Sequence, residues 1–445
     1  MFLLLGSAVA NQWFAVRMHE TEDPRKRKRI LTWALVTNLG ILAFFKYAKF
    51  LVNDVILEIA RRFCLYTGQL DAYIDYNFGG KLDPFLVKIV LPVGISFFTF
   101  QALSYVIDIY RKKFAPAKTT LDFANYLSFF PVLVAGPIVR APDLLPDMEN
   151  LPRRDTVRID IVRACALITI GLFKKMIIAN WLAVNMVDLM FRDPSLYSSL
   201  DIMLGVYAYG LQVYCDFSAY SDIAIGAGML FGFNFPTNFD APFFTTSLRG
   251  FWRRWHISLS SWLKDYLYIP LGGSRKGAFR TNFNLFITFL LGGIWHGAGW
   301  TYILWGAGHG LYLAAERLFC GLLRLPKDYK APKFLSVIAG VWLFHVLAIS
   351  WVFFRSQHLS DVWSVFSGIY NWTSGTKFFT AQGVLVFVVA FLLQLLDGER
   401  LTALTTRVSA KLPGAAVGAI AALILSIIIL GLAPQGIMPF IYFAF

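Results

Sequence analysis

Six histidines occur in 445 residues, and three of them fall between His256 and His309. A neutral imidazole can take a proton from an attacking hydroxyl, because its ordinary pKa lies near neutrality. His256 stands in Phe251-Trp252-Arg253-Arg254-Trp255-His256-Ile257-Ser258-Leu259-Ser260-Ser261-Trp262. His296 stands in Leu290-Leu291-Gly292-Gly293-Ile294-Trp295-His296-Gly297-Ala298-Gly299-Trp300, where small residues crowd a histidine at the end of an apolar run. Glycines there let a neighbouring helix or a substrate approach the backbone closely. An ionisable residue in such a setting is a functional candidate, the alternative being a structural imidazole bonded to a carbonyl. His309, in Trp305-Gly306-Ala307-Gly308-His309-Gly310, lies roughly two turns into the next helix, so two histidines of one hairpin can face one cavity. No carboxylate or cysteine accompanies them at ligand spacing, so no metal is expected.

The elements that must position these residues are apolar. Hydrophobic residues make up 57% of the chain and charged residues 15%, with 42 Phe, 19 Tyr and 13 Trp. Ordinary soluble domains carry roughly half apolar and a quarter charged residues. Several runs approach the ~20 residues that cross a bilayer, so the composition predicts an all-α polytopic membrane protein embedded in lipid. The formal net charge of +14 sits in short loops between apolar runs, which points to orientation in the membrane and not to nucleic acid. Four cysteines in unrelated contexts give no disulfide framework or metal-spaced pair.

Charge alternation orders the spans. Met1 to Ala10 reads as a remnant first span, and Arg25 to Arg29 form a cytoplasmic basic block before a second span over about Leu31–Val52. An acidic outer loop with Asp71, Asp75 and Asp83 follows, then a third span over about Phe85–Tyr110 that ends in Arg111-Lys112-Lys113. Phe123–Val139 is apolar but broken by Pro131, Gly136 and Pro137, and basic on both flanks, as expected for a re-entrant segment. Further spans lie near Ile161–Met190 and Ile202–Phe233, with the loop Arg192–Asp201 outside and the basic stretch Arg249–Arg280 cytoplasmic. In that stretch Trp252, Trp255, Leu259, Trp262, Leu263 and Tyr266 share a face at 100° per residue, which predicts an amphipathic helix on the cytoplasmic side. Spans over about Asn282–Gly299 and Thr301–Cys320 lead to a cytoplasmic loop with Arg324, Lys327, Lys330 and Lys333. The last spans cover about Phe334–Phe354, Gly383–Leu396 and Gly414–Leu432, which leaves the aromatic tail 433–445 outside. The whole, 1–445, reads as a single membrane domain of about ten helices with its core over about 25–432. Asp108, Asp188, Asp216 and Asp222 lie in or at the ends of spans; the last two are nearly two turns apart and could share a face.

Five stretches together resemble the membrane-bound O-acyltransferase family, and within it the alginate O-acetyltransferase type. They are Leu91 to Tyr105, Ala135-Gly136-Pro137-Ile138-Val139-Arg140, Phe251 to Gly273, Leu291 to Gly310, and Ser350-Trp351-Val352-Phe353-Phe354-Arg355. They occur in family order; the chain departs at its N-terminus, where family members usually carry roughly one or two more apolar segments. The resemblance implies a ring of helices around a central funnel that opens to the cytoplasm, in a bacterial cytoplasmic membrane. It implies that His296 is the essential histidine, which activates an acceptor hydroxyl, and that His256 orients donor or histidine. Acetyl-CoA is the implied co-substrate, with no bound cofactor. Arg275, Lys276 and Arg280 could meet its phosphates, the alternative being simple positive-inside charge. The implied acceptor is an exported polysaccharide such as alginate, reached through an extracytoplasmic partner of the serine esterase-like class.

The ending Phe440-Ile441-Tyr442-Phe443-Ala444-Phe445 resembles an aromatic C-terminal signature of the same family. It makes Tyr442 a possible acyl relay, the alternative being an interfacial aromatic anchor. Two other functions stand beside the acetyltransferase reading. One is a D-alanyl-type transferase fed by a carrier-protein thioester; the other is a transporter or flippase, which would need paired halves or intramembrane carboxylates.

Overall fold

The computed structural model describes residues 2–67, 89–150, 159–324, 331–409, 411–432 and 440–441. Helix is the only regular structure among them. In chain order the α-helices are α1 (Phe2–Glu20), α2 (Pro24–Phe50), α3 (Glu58–Thr67), α4 (Ile95–Tyr110), α5 (Thr120–Leu127), α6 (Ala141–Glu149) and α7 (Ile161–Phe173). They continue as α8 (Asn180–Leu182), α9 (Asp188–Arg192), α10 (Ser199–Leu230), α11 (Leu248–Trp252), α12 (Ile257–Leu263), α13 (Gly277–His296) and α14 (Trp300–Leu322). Then come α15 (Lys333–Arg355), α16 (Leu359–Tyr370), α17 (Ala381–Leu392), α18 (Glu399–Ser409) and α19 (Gly414–Leu432). The acidic residues Asp71, Asp75 and Asp83, the start of the expected third span, Lys327, Lys330 and most of the tail lie outside the described residues.

Two compact units form. One comprises Met1–Ser128, Arg140–Leu145 and Gly297–Gly299; the other comprises Phe129–Val139, Pro146–His296 and Trp300–Phe445. In the first, α1 runs unbroken to Glu20, ten residues past the expected remnant span. Asp23 caps α2 by accepting from the Arg25 backbone N–H, with Pro24 at its first position, so the basic block lies inside the helix instead of before it. Polar side chains then join the helices in pairs. Asn11 and Asn38 exchange amide hydrogen bonds of 3.1 and 2.7 Å, and Gln12 bonds both the Ala117 carbonyl and the Tyr105 hydroxyl. Arg27 turns inward to donate to the carbonyls of Ile109 and Tyr110 at the C-terminus of α4, where the Ile109 carbonyl also accepts from the Lys112 N–H.

The second unit is built on α10, a 32-residue helix whose side chains are mostly buried. Against it lies one rod made of α7, α8 and α9 joined by π-helical turns at Lys174–Ala179 and Ala183–Val187. Helices α13 and α14 form a hairpin whose backbones nearly touch: a Cβ on Gly293 would meet the Gly306 Cα at 2.9 Å. Without a large solvent-driven force between apolar helices in lipid, such close approach is how they hold. Helices α2 and α15 are long and apolar enough to cross a membrane, and α17 with its 3-10 continuation Leu393–Leu396 would pass together with Arg400–Val408 as a pair bent by 81°.

The expected amphipathic helix over 251–266 is broken. Helix α11 stops at Trp252, His256 takes a left-handed conformation at φ 44°, and α12 starts at Ile257 before a π turn over Lys264–Tyr268. The break follows from backbone pairing with a neighbouring segment: Ile257 N–H donates to the Asn238 carbonyl and Asp240 N–H to the Arg254 carbonyl. The face assigned from the 100° pattern is nonetheless buried throughout, from Trp252 to Tyr266.

Candidate active site

His296 is the last residue of α13, buried among rings of Trp295, Trp305 and Phe354 with centroids 5.0, 5.1 and 5.2 Å away. Trp305, one turn into α14, also packs on His309 at 4.7 Å, so one indole lies against both imidazoles. Trp252 of α11 completes that wall, its Nε1–H donating to His309 Nδ1 at 3.4 Å. The hairpin geometry that the glycine pattern predicts therefore does bring His296 and His309 to one aromatic box. Rings limit the polar atoms of the box to imidazole nitrogens and indole N–H groups, an environment in which proton transfer depends on few, fixed partners.

His256 is positioned separately. Its Nδ1 lies 3.2 Å from Asn238 Oδ1, which also accepts from the Ser258 backbone N–H and hydroxyl. Because Asn238 Nδ2 donates to Ser221 Oγ, the amide oxygen faces the ring; Nδ1 is then the donor and Nε2 carries the lone pair. Ser258 Oγ in turn accepts from Ile138 N–H, so the Gly136–Val139 and Trp255–Ser258 motifs meet through one hydroxyl. From His256 a line of rings, Phe217, Phe239, Trp255, Trp351 and Phe354, leads to His296 with centroid steps of 4.6 to 5.5 Å. Asn238, which sequence reasoning missed, is the hub of this knot; nothing in its local pattern, Pro236-Thr237-Asn238-Phe239, signals the role.

Burial pushes the His256 imidazole down from its ordinary 6.5 to about 3. The folded protein thus keeps it neutral, whereas the unfolded chain protonates it below its ordinary value, so stability drops as pH falls from about 6.5 towards 3, by at most about 1.4 kcal/mol per unit. His256→Gln cannot take up that proton. Its thermal midpoint is expected to fall less than the wild-type midpoint between about pH 7 and pH 4.5; equal falls in both proteins would contradict the assignment.

Arg275 and Lys276 stand exposed in a loop whose Gly272, Gly273 and Gly277 take positive φ, and Arg280 stands exposed in the first turn of α13. Asn284 holds that loop by donating to the Gly273 carbonyl. Arg280 and His296 occupy opposite ends of one 20-residue helix, about 24 Å apart along its axis. Tyr442 lies outside the described residues.

Sequence reasoning also missed the lysines within the apolar run of the rod. Lys174, fully buried, donates to Asp222 at 3.0 Å and Asp397 at 2.9 Å, and Lys175 pairs with Asp216. Asp216 and Asp222 therefore belong to different ion pairs. Arg355, which ends the fifth motif, pairs with Asp188 of α9 at 3.0 Å. Among the described residues no group of His, Cys, Asp or Glu is placed to hold a metal ion.

Comparison with known proteins bears on this arrangement. The family model for MBOAT, membrane-bound O-acyltransferase family, matches residues 118–356. The chain is 41% identical to a probable alginate O-acetylase of Pseudomonas aeruginosa over 83% of its own length and 66% of that relative. It is 33% identical to a peptidoglycan O-acetyltransferase of Helicobacter pylori, over 82% and 69%, and 29% identical to a teichoic acid D-alanyltransferase of Streptococcus thermophilus, over 61% and 69%. It spans about two thirds of the length of these curated relatives.

Proposed function

Because the chain belongs to the membrane-bound O-acyltransferase family, we propose that it takes an acetyl group from acetyl-CoA on the cytoplasmic side and delivers it towards hydroxyls of an exported polysaccharide. The observation that carries this reading is the helix α13, with a basic glycine loop at one end and a buried histidine in an aromatic box at the other. A thioester donor bound by its phosphates at Arg275, Lys276 and Arg280 reaches His296 along a path of about 24 Å, comparable to the hydrocarbon core of a bilayer. His296 accepts the proton of the attacking hydroxyl, the new ester bond forms as the thioester bond breaks, and the proton returns to the leaving thiolate. His256 is a positioning residue, which acts on donor or on His296 through the line of rings. The relay role falls to Tyr442, whose phenol would carry the acetyl group as an ester before an extracytoplasmic serine esterase-like partner receives it.

In this reading residues 1–445 act as one membrane-embedded acyltransferase domain of the bacterial cytoplasmic membrane, a ring of about ten helices with a re-entrant segment around a funnel. The names of the relatives support acetyl over D-alanyl, since identity is 41% to the alginate type and 29% to the D-alanyl type. They also leave alginate as one acceptor among surface glycans, because a peptidoglycan O-acetyltransferase stands at 33%. The test is thiol release by the purified protein from acetyl-CoA and from a D-alanyl carrier-protein thioester. We expect kcat/KM to favour acetyl-CoA by about a hundredfold or more, the discrimination a site achieves when the wrong donor leaves its polar groups unpaired. Preference for the carrier-protein thioester would overturn the donor assignment.

A further inference from the structure

The lysine–aspartate pair next to the Lys174 network does more than neutralise itself. Lys175 and Asp216 are buried, 4% and 2% exposed, and Lys175 Nζ bonds one carboxylate oxygen, Oδ1. The other oxygen, Oδ2, accepts at 2.9 Å from the backbone N–H of Ile441 in the C-terminal tail. The preceding residue is held by two further contacts: the Phe440 ring lies 4.6 Å under the Lys175 ammonium and 5.0 Å from the Tyr220 ring, edge to face. A backbone amide bonded to a buried carboxylate is a strong, charge-assisted contact, and a cation over a ring adds to it where water is excluded. Three side chains on two neighbouring elements, the π turn of the rod and α10, thus converge on two residues of the tail.

We propose that Lys175 and Asp216 form a latch that seats the chain's own C-terminal segment and so positions Tyr442, one peptide bond beyond the seated Ile441. The positioning of Tyr442 for transfer rests on the relay reading above; the seating of the tail does not. A pair that served only charge balance would be indifferent to the Ile441 amide, whereas a latch depends on it.

The test uses the full chain purified in detergent, with p-benzoylphenylalanine in place of Phe440, and reads photo-crosslinking to the α10 peptide that contains Tyr220. Ile441→Pro removes the tail's donor and leaves the ion pair intact. It is expected to lower the crosslink roughly tenfold. Two charge-free variants separate the acceptor from the burial of charge. Lys175→Met/Asp216→Asn keeps an acceptor oxygen and is expected to stay within about threefold of the parent, while Lys175→Met/Asp216→Leu, which lacks the acceptor, falls roughly tenfold. Equal crosslinking in these two variants, or parental crosslinking in Ile441→Pro, would overturn the latch. With Phe440 restored, Ile441→Pro is expected to keep the KM for acetyl-CoA within about twofold while transfer to an outer acceptor drops, a split that general loss of structure would not give. Full transfer by Tyr442→Phe, alongside loss of the crosslink in Ile441→Pro, would remove the relay and leave the latch standing.

Discussion

Replacing His296 by alanine is expected to lower acetyl transfer by a factor of roughly 10² to 10⁴, the contribution of a positioned general base. His296 closes α13 inside the box of Trp295, Trp305 and Phe354, so rings enclose the imidazole whose loss the variant reports. The loss should fall on kcat and kcat/KM together, because the proposed proton transfer occurs only as the hydroxyl attacks, while the donor affinity proposed to rest on Arg275, Lys276 and Arg280 is expected to be kept. His296→Gln fills most of the same space and is expected to fold as the wild type does yet stay inactive. Initial rates of thiol release from monodisperse protein measure both variants, and activity of either within about threefold of wild type would remove His296 from the chemistry.

The second large effect concerns stability. Asp397 accepts from Lys174 Nζ, from the Tyr214 hydroxyl with both oxygens, and from the Ala241 N–H at 3.1 Å. It thereby ties the end of the α17 continuation to the rod, to α10 and to the segment that leads to Asn238 and His256. Asp397→Ala takes one of two paired carboxylates from a fully buried ammonium, leaving it Asp222 and the Tyr214 hydroxyl, and strands the donors of Tyr214 and Ala241, for which a loss of about 3–5 kcal/mol is expected. Tyr214→Phe removes one hydroxyl from the same network and should cost only about 1–2 kcal/mol. Thermal unfolding in detergent ranks the two, and an Asp397→Ala midpoint equal to that of Tyr214→Phe would contradict the central place of the carboxylate.

How much of this is legible in the sequence depends on how local each cause is. The hairpin that carries His296 and His309 is legible, because Gly293, Gly306 and Gly310 sit at helical spacing beside the histidines and glycine is what close backbones need. The break at His256 is not. The 100° pattern of tryptophans is satisfied equally by one helix or by two short helices that bury the same side chains, and the choice is made by Asn238, 18 residues away. Lys174 and Asp397 are separated by 223 positions, so no periodicity links them; only the lysine pair inside an apolar run hints that carboxylates must come to meet it. Helices α16 and α18 are not legible from spans, since neither is long enough to cross a bilayer.

The proposed function turns on passage of an acetyl group from one face of the membrane to the other by way of His296. The direct measurement is made in sealed vesicles with the protein reconstituted in one orientation and labelled acetyl-CoA confined to the face that bears Arg275 and Lys276. Label is followed as ester on the protein and on an alginate oligomer supplied at the opposite face. Esterified label is expected to accumulate at that opposite face in wild type, with free thiol left on the donor face, and His296→Ala is expected to yield neither. Label esterified only on the donor face, or delivered by His296→Ala at the wild-type rate, would contradict the proposed function.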